Sequence, residues 1–181
     1  MKQIKMTLGF VLLTVGIITF TGCSKYEEGP GISLRSKKSR VVGDWKVTAL
    51  TEDGVSLFNY VESDYLDCLS GDIMDYNTTS TINDYNITFD KGGGMQSKVD
   101  VSVSMLDFNS SYINCTPVYI TNSGSESYSG KWEFASDKEE IKITYSDGTT
   151  ENWKIIELRE KEMKLELDYG NSVDKMTLEK K

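Results

Sequence analysis

Three cysteines and a run of acids are the side chains best placed to do chemistry in this chain, and the sequence contains no histidine to work beside them. Without imidazole, serine–histidine and cysteine–histidine nucleophile pairs cannot be built, and the commonest zinc and copper ligand is missing. Glu62, Asp64, Asp67, Asp72 and Asp75 form the densest acidic cluster. Calcium needs several oxygens converging on one point, and this cluster lacks the Asp-x-Asp-x-Asp-Gly spacing of a calcium loop. It reads as a solvated segment, with no metal and no cofactor implied. Glycoside hydrolysis needs two carboxyl groups at a set separation, and no pair stands out. The chain is expected not to be an enzyme. Cys68 and Cys115 are left to each other. In an oxidising compartment such a pair is usually bridged, and the bond would stabilise the fold by about 4 kcal/mol on the chain-entropy model. Two free, half-buried thiols are the alternative.

The compartment is read from Cys23. Lys2 and Lys5 open the chain, an apolar run from Leu8 to Phe20 follows, and Phe20-Thr21-Gly22-Cys23 closes it. A basic start, a short apolar span and small residues before a cleavage point describe a secretory signal. The span is too short for a membrane-crossing helix, which needs roughly 20 apolar residues. The closing tetrapeptide resembles a bacterial lipobox, with Phe20 in place of the usual leucine. That resemblance implies cleavage after residue 22, acylation of Cys23 with palmitate-like chains, and anchoring in a membrane. Ser24 is not the aspartate that retains some lipoproteins in the inner membrane, so the outer membrane is the expected address, on its periplasmic face or at the cell surface.

Charge narrows the partners. Residues 1–22 hold Lys2, Lys5 and no acid, so the mature chain keeps 18 of the 20 basic residues against all 28 acidic ones, a net charge of −10. Phosphate backbones would repel such a chain, and nucleic-acid binding is not expected. Anionic lipid would repel it too, so attachment must come from the acyl chains.

These residues need a scaffold, and the pattern behind residue 40 is β almost throughout. Residues 23–40 are polar, contain Gly29-Pro30-Gly31, and read as a flexible tether. The folded domain is expected over 41–181. A strand over 41–50 precedes the turn Glu52-Asp53-Gly54, and another over 82–89 precedes the glycine-rich turn at 90–94. Val99, Val101, Val103 and Met105 line one face of the next. From Trp132 onward the alternation is regular, with Asp147-Gly148 as a strong hairpin signal. Trp153 and Ile155 share one face and Ile156 and Leu158 the other, a parity switch that predicts a bulge. Residues 56–80 and 107–127 show no periodicity and read as long loops, with a short helical turn near 65–69. Closing about eight hairpin-connected strands into an antiparallel up-and-down barrel removes their edges.

Gly43-Asp44-Trp45 on the first strand and Gly130-Lys131-Trp132 on a later one resemble the Gly-x-Trp signature of lipocalins. The segments at 41–47, 153–158 and 162–167 are similar to the lipocalin-like lipoproteins of Bacteroidota. The resemblance implies a glycine that lets strands approach closely and an indole packed across the barrel's closed end. It also implies a late-strand arginine over that indole, and Arg159, in a turn, is the only arginine after residue 40. Core packing accounts for Trp45, Trp132 and Trp153, and a ligand role would fall to whichever faces an open end. The leading expectation is a non-enzymatic, lipid-anchored barrel that binds a small hydrophobic ligand. The alternative is an accessory or structural surface lipoprotein with a solid barrel, binding a protein partner through its long loops. The interior of the barrel discriminates between them.

Overall fold

The computed structural model describes residues 36–181, so Cys23 and the segment around it lie outside the described residues. A single turn of helix, α1 (Lys37–Val41), is followed by β1 (Gly43–Glu52), β2 (Val55–Ser56), β3 (Asn59–Asp67), β4 (Ile73–Phe89) and β5 (Gly94–Leu106). A second helix, α2 (Phe108–Asn114), leads to β6 (Tyr119–Ala135), β7 (Glu140–Tyr145), β8 (Thr150–Leu158), β9 (Glu162–Asp168) and β10 (Val173–Lys180). From β4 to β10 each strand pairs with the next, all antiparallel. β1 then joins both ends: it pairs with β10 on one side, and its residues 43–46 pair with 86–89 of β4 on the other. Eight strands (β1 and β4–β10) form a closed barrel, as the alternation predicts. The predicted bulge is a register shift between Ile155 and Glu157.

The closed end is built around Trp45, which is fully buried. Its Nε1 donates to the carbonyl of Val41 at 2.7 Å, so α1 is tied beneath the barrel ahead of the expected domain start. Register places Lys180 opposite Trp45. The Lys180 ammonium lies 5.1 Å from the indole centroid and donates to the carbonyls of Arg40 (3.1 Å) and Val42 (2.7 Å). Lys180, not an arginine, therefore supplies the cation over the indole. Arg159 instead pairs with the fully buried Glu157, which Lys164 also reaches at 2.7 Å. Gly43, at φ +140°, leaves room for this arrangement, since a Cβ there would stand 2.6 Å from Lys180 Cε. At the second Gly-x-Trp copy, a Cβ on Gly130 would meet the Thr144 carbonyl oxygen at 2.4 Å. Both glycines do what the resemblance implies, by letting a neighbour pass close.

The segments read as long loops are mostly strand. β3, the first half of β4, the second half of β5 and the first half of β6 continue past the barrel rim as a four-stranded sheet. The predicted helical turn near 65–69 is the end of β3 and a turn; the helix in this region is α2, capped by Asp107 and ended by Cys115 in the left-handed conformation. Stretches such as Asn77-Thr78-Thr79-Ser80-Thr81 are β-branched and polar, and both faces of much of this sheet meet solvent. No hydrophobic alternation marks such a strand.

Candidate functional site

The barrel interior is occupied by side chains. Trp45, Trp132 and Trp153 sit in one buried cluster with Phe89, Leu158 and Met163, and all eight barrel strands contribute to it. Trp132 meets Phe89 and Phe134 edge-on, each with centroids 5.6 Å apart, and its Nε1 donates to the Asp90 carbonyl. These contacts make Trp45 and Trp132 packing residues. Trp153 alone of the three reaches toward the open end, where its Nε1 donates to Glu151 at 2.9 Å.

At that end β7 stops at Tyr145 while β6 runs on, and the gap leaves a recess of about 390 Å³. Tyr85, Tyr128, Tyr145, Ser97, Thr149 and Glu151 line it. Glu151 accepts from the Tyr145 hydroxyl at 2.8 Å. Burial and then the Glu151 charge push the Tyr85 phenol up from 10.0 to about 12. Burial and the same carboxylate also raise Tyr145. Burial raises the carboxyl of Asp174, helped by the charges of Glu52, Glu151 and Asp53. The mouth is aromatic and acidic, with hydroxyls between. Sequence reading did not single out Tyr85, Tyr145 or Glu151, because they come from three strands whose convergence leaves no local pattern.

A phenol whose folded-state pKa exceeds its unfolded one adds stability that is complete below the unfolded value and lost as pH rises toward the folded value. The urea midpoint should therefore begin to fall above pH 10 and keep falling to about 12. Tyr85→Phe should lessen that fall, with Tyr145 contributing the rest; an unchanged profile in the variant would place the titrating group elsewhere.

The second candidate surface is the sheet beyond the rim. Its tip carries a small core of Leu66, Cys68 and Met74, packed by Tyr76, Leu106 and Tyr112. Cys68 and Cys115 are bridged, with Cα atoms 5.5 Å apart, which fastens the β3–β4 turn to the end of α2. Of the fourteen exposed large apolar side chains among the described residues, eleven lie between Tyr60 and Ile120. The apolar surface is thus concentrated on this extension rather than on the barrel wall. Tyr65, Leu69, Ile73, Phe108 and Ile113 are all more than half exposed. The acidic cluster falls here too, on β3, the turn after it and the start of β4. Residues 55–80 and 101–127 contain no lysine or arginine, so the extension is at once apolar and negative.

An eight-stranded antiparallel barrel, shut at one end by a Gly-x-Trp strand under a cation, defines the class of small closed up-and-down barrels. The chain matches the lipocalin-like domain model over residues 41–165 and belongs to that family. No curated protein matches it. Among solved structures it is similar to japanin from Rhipicephalus appendiculatus bound to cholesterol, at 13% identity and a TM-score of 0.34, over 80% of this chain and 79% of that one. A likeness of that degree says nothing of what this chain binds.

Proposed function

We propose that this chain is a non-enzymatic lipoprotein, acylated at Cys23 and held at the outer membrane, that binds a protein partner through the extension of its barrel. The observation that carries the reading is the crowding of exposed apolar side chains on the extension, beside a barrel in whose interior side chains from all eight strands pack together. Monomeric soluble surfaces rarely expose large contiguous apolar patches without an interaction to cover them. The acids and the absence of base make an anionic lipid surface a poor occupant and favour a partner with a basic, apolar face. A small hydrophobic ligand is the second reading, favoured by the recess at the mouth, whose size lies within the usual range for small-molecule sites.

A photo-crosslinking residue at Phe108 or at Tyr65, in the full chain in cells of its own host, should trap one discrete protein. Trapping should weaken in high salt and with Asp72→Lys plus Asp75→Lys. No adduct from either position overturns the reading. A small molecule retained in native mass spectrometry and lost with Tyr145→Ala would carry the second one. Cys23→Ser should leave the protein in the soluble fraction; continued membrane fractionation would remove the basis of the anchoring proposal.

A further inference from the structure

The outer edge of β6 is open over most of its length. β7 pairs only with residues 130–135 of β6, and no other strand among the described residues pairs with that side from 119 to 129. Two hydrogen bonds give the direction of its backbone groups. The Ser129 carbonyl accepts from Ser146 on the β7 side, and the Trp132 N–H donates to Gly93 on the β5 side. Backbone direction alternates along a strand, so Tyr119, Thr121, Ser123, Ser125 and Ser127 aim their N–H and C=O at the open edge. The β5–β6 register runs unbroken through this stretch.

Gly124 sits at the centre of this edge, and its own chain does not require it. A Cβ there would meet nothing within 4 Å, and its φ lies outside the left-handed range. Glycine inside a strand weakens it, and where no bulge or bend needs it, it often marks a place where a ligand or another backbone comes close.

We propose that this edge pairs antiparallel with the same edge of a second copy, about a two-fold axis at Gly124. In that register Ser123 faces Ser125 of the other copy and Thr121 faces Ser127, the residues whose backbone groups point outward. Gly124 faces its own equivalent in the non-hydrogen-bonded position, where Cα atoms come within about 4.5 Å. Ile120, 45% exposed, falls opposite Tyr128, 49% exposed, so two apolar side chains left open by the monomer cover each other. The one charge on the edge, Glu126, faces Asn122. A shift of two residues either way breaks the Ile120–Tyr128 match. The outer edge of β3 is also open, but the same operation centred on Ser63 sets Glu62 against Asp64 twice. Like charges directly opposite destabilise a strand pair, so β3 is protected where β6 is not. Pairing at β6 would join two four-stranded extensions into one continuous sheet, independently of which partner its faces bind.

Gly124→Cys in the full-length chain, oxidised in cells, should give a reducible species of twice the monomer mass, while Ser63→Cys at the centre of β3 should not. Purified wild type should show a concentration-dependent dimer by sedimentation. Ser123→Pro removes an outward N–H and leaves the β5 ladder alone; it should cut the dimer at least tenfold. Should that variant fail to fold, Thr121→Lys with Ser127→Lys sets like charges opposite and should do the same, and Thr121→Lys with Ser127→Glu should restore pairing. A monomer at every concentration with Gly124→Cys uncrosslinked overturns the proposal, and so does a Gly124→Cys adduct to a different protein.

Discussion

Trp45→Ala should cost about 3–5 kcal/mol of stability, the range for deleting a large aromatic from a packed core. Three separate contacts disappear with the indole. It is fully buried among residues from every barrel strand, its N–H holds Val41 of α1, and its face receives the Lys180 ammonium. A cation–π contact contributes about 0.5–2 kcal/mol depending on how dry it is. Lys180 would keep its bonds to the Arg40 and Val42 carbonyls but lose its aromatic partner. The loss should appear as a lower urea midpoint, with trapping of a partner at the extension unchanged once the protein is folded. A shift within about ±0.5 kcal/mol is what surface substitutions give, and that result would place Trp45 outside the core and overturn its role at the closed end.

Replacing Cys68 and Cys115 together by serine should cost about 4 kcal/mol on the chain-entropy model for a bridge of this span, 47 residues. The loss should be concentrated on the extension. Its own core is small, with Leu66 and Met74 as the fully apolar buried members, whereas the barrel has a core of its own. Amide exchange should therefore speed up over 59–81 and 101–125 more than over β7–β10. Equal urea midpoints for the double variant and the wild type would show that the bridge adds nothing the tip core does not already supply.

Legibility in the sequence follows burial. The five strands from Trp132 onward were readable because each has one face in the core, so apolar and polar residues alternate and every register slip is penalised. Three of the extension's four strands, β3 and the neighbouring halves of β4 and β6, read as loops because they meet solvent on both sides; β5, with Val99, Val101, Val103 and Met105 on one face, is the one that reads as a strand. The sequence does carry a signal for Lys180 as the cation over Trp45, since Met176, Leu178 and Lys180 share one face of the last strand.

By itself the sequence determined the β class, the hairpin order and the parity switch near Ile155. It also singled out the cysteine pair that the fold brings together. All of these are properties of neighbours along the chain, or of residue types with few alternatives. Tertiary structure alone decided that β1 closes the barrel on β4, that side chains from all eight strands meet in its interior, and that Tyr85, Tyr145 and Glu151 meet at its mouth. It also decided that β6 outruns β7 and leaves an open edge. Those outcomes depend on the pairing of segments far apart in the chain, and the energy that selects them comes from contacts that no local pattern records.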